Sequence, residues 1–233
     1  MTNKETQTVV IEQSESWYIR VGHRYRDSWF DQRVRFSLPL ALLAFVASVV
    51  TSFYAIAYAT QSASNSVTDI ILSNIPIFDV DGLMIVGTTL LIIVIIALLL
   101  SHPDRIPFSL YALTLFFFIR SAFTVVTHVA SYPLPPNSYT FTSKIGQFLF
   151  GFGGDLFFSA HTAVPFLLAL MFWHKPALRY LFLAWSVFFG IVVLLGHLHY
   201  TIDVLSAFFI TYGIYQLALW FFPRERALFL VQD

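Results

Sequence analysis

Cysteine is absent from the 233-residue chain, which removes disulfide frameworks, thiolate metal sites and cysteine nucleophiles together. Charge is scarce: Asp, Glu, Lys and Arg make up 11% of residues, where a soluble domain carries about a quarter. Basic and acidic residues number 13 each, and no basic tail points to nucleic acid as a partner. The N-terminal stretch MTNKETQTVVIEQSES lacks the basic-then-apolar order of a cleavable signal. The expectation is a chain that stays intact and inserts through its own helices. What remains is apolar: 58% hydrophobic, 18% aromatic, with a mean hydropathy of +0.74. Such a composition belongs to an integral membrane protein.

A helix needs about 20 mainly apolar residues to cross the hydrocarbon core. Six stretches qualify or come close: 36–59, 83–100, 106–129, 157–173, 177–196 and 202–222. The first has no charge at all, the third carries Arg120 and His128, and the fourth is short and opens amid polar residues. The fold expected is an all-α polytopic membrane protein with six transmembrane helices. Residues 1–35 form a basic N-terminal segment, 36–222 the membrane domain and 223–233 a tail. There is no internal repeat and no second domain.

Basic residues orient this bundle. Lys4, Arg20, Arg24, Arg26, Arg33, Arg35, Arg105, Lys175, Arg179, Arg224 and Arg226 fall on one side, and Lys144 alone lies in the loops of the other. Both termini are therefore expected in the cytoplasm, with loops 60–82, 130–156 and 197–201 on the extracytoplasmic side. Asp69, Asp79 and Asp81 in the first of these loops read as solvated carboxylates. The stretch WYIRVGHRYRDSWFDQRVR mixes arginines with aromatics; it reads as an ordinary positive-inside flank or as an interfacial helix touching anionic lipid.

Three polar clusters converge on the extracytoplasmic face. Arg120 lies about 14 residues into the third span, roughly 21 Å from its cytoplasmic end at 1.5 Å per residue. Thr124 and Thr127 follow at i+4 and i+7, on the same helical face. GGDLFFSAHT, residues 153–162, opens the fourth span and puts His161 near the helix start. His199 and Asp203, four apart, open the sixth. Each has a structural reading: Arg120 as a partner for carbonyls, Asp155 and Ser159 as helix caps, His161 as a packing residue, His199–Asp203 as a polar pair at a helix start. Their meeting at one depth favours a site, because ionisable groups within a membrane are functional candidates by default.

The residue types suggest the chemistry. A carboxylate four residues beyond a His accepts its N–H, fixes the tautomer and raises its basicity, leaving the other ring nitrogen as nucleophile or base. A second His at a helix N-terminus feels the positive end of the dipole and gives up its proton more readily. That N-terminus, with the Ser159 and Thr162 hydroxyls and the Arg120 guanidinium, suits a phosphate group. Asp155, Thr124, Thr127 and Tyr200 complete the expected substrate contacts. Phosphoryl transfer through a phosphohistidine follows, with no cofactor and no metal required.

At these residues the chain resembles the sphingomyelin synthases, within the type 2 phosphatidic acid phosphatase (lipid phosphate phosphatase) superfamily. GGDLFFSAHT is similar to their C-G-D-x-x-x-S-G-H-T pattern and HYTIDV (199–204) to their H-Y-T-x-D-V element. RSAFTVVTHVASYPLPP (120–136) is similar, more loosely, to an R…T…T…L-P motif after their third span. The resemblance covers roughly residues 36–222. It implies His199 as nucleophile, Asp203 as its orienting carboxylate and His161 as general acid. It also implies transfer of a phospho-alcohol from a glycerophospholipid donor to a ceramide- or diacylglycerol-like acceptor. Two positions depart from the pattern: Gly153 replaces Cys and Ala160 replaces Gly. The K-x6-R-P element of the wider superfamily is missing, since Gly151 stands seven residues after Lys144.

Four other functions remain open. Water in place of a lipid acceptor gives a lipid phosphatase or phospholipase C. A non-catalytic relative would bind or transport lipid. His161, His197 and His199 would have to converge to ligate haem or a metal. An intramembrane serine protease would use Ser159, which lacks the Gly-x-Ser setting.

Overall fold

The computed structural model describes residues 17–133 and 156–230. Asp155, Lys144, residues 1–16 and most of the expected loop 130–156 lie outside the described residues. Among the described residues the chain is helical and has no strand: α1 (Trp17–Phe30), α2 (Gln32–Gln61), α3 (Asp81–Ser101), α4 (Ile106–Val126), α5 (Ala160–Met171), α6 (Pro176–Leu195), α7 (Thr201–Phe221) and α8 (Pro223–Leu230). A 3-10 turn, Pro103–Arg105, leads into α4.

Five of these helical segments are long and apolar enough to cross a membrane: Gln32–Gln61, Asp81–Ser101, Pro103–Val126, Pro176–Leu195 and Thr201–Phe221. Their outward faces are apolar, with Phe36, Leu43 and Phe53 exposed on α2 and Leu83, Val86 and Ile93 on α3. An apolar surface this extensive would associate in water and is at rest in lipid. The chain is an integral membrane protein. The fourth expected span, 157–173, is shorter than its apolar run. Helix α5 begins only after the cap at Ser159 and ends at Met171, so its 12 residues rise about 18 Å against a core of about 30 Å. It is buried along most of its length, by Ala163, Leu167, Leu168, Ala169 and Met171 among others. Protein rather than lipid surrounds it, which is the setting in which a short helix is tolerated at membrane depth.

Packing follows residue size. Helix α2 buries Ala41, Ser48, Ser52, Ala55 and Ala59, spaced by seven, four, three and four residues, and packs mainly on α4. Small residues at that rhythm let two backbones approach closely. The main core, Phe108, Ala112, Phe116, Leu167, Phe182, Phe189, Val204 and Ala207 among its members, joins α4, α5, α6 and α7. Helix α6 reaches α5 through Ser186, whose hydroxyl donates to the Thr162 carbonyl at 2.6 Å. One turn on, a Cβ at Gly190 would stand 3.1 Å from Val204 and 3.6 Å from the Thr162 hydroxyl, so glycine sets this approach.

Backbone bonds gather the helix termini at one end of the bundle. Phe78 N–H donates to Leu195 C=O, Ser64 N–H to His128 C=O and Ala130 N–H to Asn65 C=O. In this layer two of the three first-loop carboxylates, Asp69 and Asp81, depart from the expectation of free solvation, while Asp79 is exposed as expected. Asp69 and Asp81 are buried, and Asp79 accepts from Asp81 N–H at 3.1 Å, at the start of α3. Helix N-termini leave backbone N–H groups without intrahelical partners, and carboxylates close by satisfy them.

Candidate active site

The chemistry-bearing residues cluster where α5 and α7 begin. Tyr200 is the N-cap of α7 and Asp203 its third residue. Asp203 Oδ2 accepts the Tyr200 N–H at 3.0 Å, the reach-back of a capping box. The same oxygen lies 3.4 Å from His199 Nδ1, and the two side chains are 3% and 6% exposed. At that distance the pair is in electrostatic contact without making a hydrogen bond. A carboxylate facing Nδ1 favours the Nδ1–H tautomer and leaves the Nε2 lone pair for chemistry.

Ser159 caps α5, accepting the Thr162 N–H at 3.4 Å, while its own N–H donates to Asp203 C=O at 3.1 Å. That last bond ties the start of α5 to the first turn of α7. His161, the second residue of α5, is half-buried with its ring 5.7 Å from the Phe189 ring. Pro165 removes the N–H that would otherwise reach back four residues to the His161 carbonyl. Arg120 is 2% exposed; its Nε donates to Phe158 C=O at 3.3 Å and its guanidinium carbon lies 5.9 Å from the Phe158 ring. Phe158 itself holds φ 28°, a left-handed backbone that non-glycine residues seldom adopt. Strain of this kind is held by surrounding structure and is concentrated at functional sites.

The remaining expected residues fall into two groups. Thr124 is buried one turn beyond Arg120 on the same face, and its hydroxyl has no hydrogen-bond partner among the described residues. Ser159 and Thr162 are fully buried, the Thr162 hydroxyl lying toward Gly190 of α6. Thr127 does not share the Arg120 face: α4 ends at Val126 and Thr127 is extended, at ψ 109°. The chain leaves the helix there because its next residues pair with the first loop, His128 C=O accepting from both the N–H and the hydroxyl of Ser64. Tyr200 clasps two loops. Its hydroxyl donates to Ala130 C=O at 2.8 Å and accepts the Val67 N–H at 3.3 Å.

Asp69, expected from sequence to be a solvated carboxylate, is instead buried and bonded to the start of α7. It sits in a polar loop with no motif around it, and its partner Thr201 is 132 positions away. Nothing local marks it. His197, with φ 52°, packs edge-on against the Tyr132 ring at 5.4 Å, and burial holds its imidazole below the ordinary value and so neutral. Among the described residues no three His, Asp or Glu side chains form a metal-ion ligand group, His161, His197 and His199 included.

Residues 153–220 match the family model described as PAP2 superfamily C-terminal. The match is less than a third of the chain and takes in both histidine elements and the helices α5, α6 and α7. No curated protein and no solved structure matches the chain.

Proposed function

We propose that the chain is a lipid phospho-head-group transferase of the PAP2 superfamily, sphingomyelin synthase-like in its chemistry. It moves a phospho-alcohol from a glycerophospholipid to a ceramide- or diacylglycerol-like hydroxyl, on the extracytoplasmic side of the membrane. The family match supports an enzyme acting on lipid phosphate groups. The observation that carries the finer reading is the bond from Ser159 N–H to Asp203 C=O. It holds the helix start bearing His161 beside the one bearing His199, as a two-histidine transfer requires.

His199 Nε2 attacks phosphorus, the bond from phosphorus to the diacylglycerol oxygen breaks, and His161 gives that oxygen its proton. Asp203 stabilises the imidazolium character that His199 acquires. The acceptor hydroxyl then loses its proton to His161 and attacks phosphorus, breaking the P–N bond and restoring both histidines. Arg120 and the backbone N–H groups of the α5 start offset the negative charge on the phosphoryl oxygens. The distribution of Lys and Arg supports the extracytoplasmic placement.

Purified protein in mixed phospholipid vesicles, with and without added ceramide or diacylglycerol, tests this by mass spectrometry of the lipids. Transfer requires that the head group appear on the added acceptor as diacylglycerol is released. Release of free phospho-alcohol or phosphate, indifferent to acceptor, would make the enzyme a hydrolase. His161→Ala and His199→Ala are each expected to abolish turnover, and full activity in either sinks the two-histidine mechanism.

A further inference from the structure

We infer that Asp69, in the loop between α2 and α3, is a positioning residue for His199 and acts through Thr201; the inference rests on the proposed role of His199 as nucleophile. The Asp69 carboxylate is buried and accepts four hydrogen bonds. Two are local, from the N–H groups of Ile71 at 2.9 Å and Leu72 at 3.1 Å, and fix the carboxylate on its own loop. The other two come from the first residue of α7, the Thr201 N–H at 2.6 Å to Oδ2 and the Thr201 hydroxyl at 2.8 Å to Oδ1. Burial alone would push the carboxyl up, but these four donors outweigh it and hold Asp69 below the ordinary carboxylate value, as an anion. Charge-assisted bonds to a helix start are among the stronger ones a surface loop can make.

Thr201 stands midway between His199 and Asp203. The five residues 199–203 are thus held at three points: Tyr200 N–H on Asp203, Tyr200 hydroxyl on Ala130 and Val67, and Thr201 on Asp69. The Asp203 and Val204 N–H groups close the first turn on Tyr200 C=O at 3.0 and 3.3 Å, and the Asp69 bonds fix that turn to the loop between α2 and α3. The 3.4 Å approach of His199 to Asp203 spans this same segment. A displacement of about 1 Å at a reacting group costs about 100-fold in rate, so a loop carboxylate that touches no substrate still governs the chemical step.

Rapid-quench measurement of phosphoenzyme formation provides the test, with the full chain in vesicles of 32P-labelled phosphatidylcholine, phosphatidylethanolamine and phosphatidylglycerol. Asp69→Asn keeps the size but turns an amide NH2 toward a Thr201 donor. Its rate constant is expected to fall about 10- to 100-fold, while burst amplitude and KM stay within about 2-fold of wild type. Thr201→Val loses one donor and should fall less, and Thr201→Ser, which keeps both donors, restores the wild-type rate. The Asp69→Asn/Thr201→Val double variant should lose no more than Asp69→Asn alone. A wild-type rate constant in Asp69→Asn overturns the inference. So does a loss of burst amplitude equal to the loss of rate, which marks a merely structural role, or an additive double variant. If Asp69→Asn does not fold, the Thr201→Val and Thr201→Ser pair decides alone, with equal rates overturning it. His199→Ala in the same assay separates the two levels: turnover there removes the proposed function whatever Asp69 does.

Discussion

The two ends of α5 handle charge in opposite ways. At its start, Ser159, His161 and the adjoining α7 start present N–H groups and histidines, with carboxylates supplied by Asp203 and Asp69. At its finish, Arg226 of α8 donates to Met171 C=O at 3.1 Å and lies over the rings of Phe229 (5.0 Å), Phe108 (5.3 Å) and Tyr215 (5.9 Å). Arg105 stacks beside it, 5.8 Å from Phe172 and 5.6 Å from Phe229. The carboxylates complement the dipole of α7 at its start, and the arginines that of α5 at its finish. The two arrangements differ in slack. The far end buries its cations against aromatic faces, which tolerate small shifts. The site end depends on directed hydrogen bonds of 2.6 to 3.4 Å and on the His199–Asp203 contact.

Four substitutions put this difference to measurement. Asp203→Asn removes the charge facing His199 Nδ1 and weakens tautomer control, for which a loss of about 10,000-fold in kcat has precedent in a hydrolase triad. Lipid turnover should fall by at least about 100-fold with thermal stability nearly unchanged, and a fall below about 10-fold would deny Asp203 its orienting role. Arg226→Met should do the reverse. Loss of its contacts costs about 2 kcal/mol, read as a lower melting temperature in detergent, while kcat per folded molecule stays within about 2-fold. A large kcat loss there would erase the division between the ends.

The third substitution concerns pH. His102 is held down to about 4, first by burial and then by the charges of Arg105, Arg24 and Lys175. Its neutral form is the one the fold accommodates, and Arg24 lies 3.0 Å from its Nε2. Above an unfolded value of about 6.5 it is neutral in both states and contributes no pH dependence. As pH falls from about 6.5 toward 4, the unfolded chain gains the proton first and stability drops. His102→Gln should flatten that part of a melting-temperature profile, and an unchanged slope would count against the cluster. Smallest of all, His197→Ala should keep lipid turnover within about 3-fold of wild type, because its ring packs on Tyr132 and lies outside the His199–Asp203 pair. Loss of activity there would redraw the site.

Periodicity and hydropathy made most of the helical layout legible, since a membrane-facing helix must be apolar over a length set by the bilayer. The apolar runs 36–59, 83–100, 177–196 and 202–222 correspond closely to α2, α3, α6 and α7. The His199–Asp203 pairing was legible too, because four residues at a helix start is a local distance. Two readings failed where the deciding contact is remote. Thr127 fits the Arg120 face only if α4 continues, and pairing of His128 with Ser64 ends the helix. The length of α5 likewise depends on its neighbours: the apolar run includes Phe157 and Phe158, but the bond from Ser159 to Asp203 and the left-handed Phe158 start the helix after them.

What the sequence determined by itself is the membrane solvent, the apolar helices and the i,i+4 spacing of His199 and Asp203, for these depend on composition and on spacings of a few residues. Tertiary structure alone decided which first-loop carboxylate meets the start of α7. Asp69, Asp79 and Asp81 are chemically alike in one loop, yet only Asp69 is delivered to Thr201. A hydrogen bond acts over about 3 Å, and no pattern along the chain measures that distance between residues 132 positions apart.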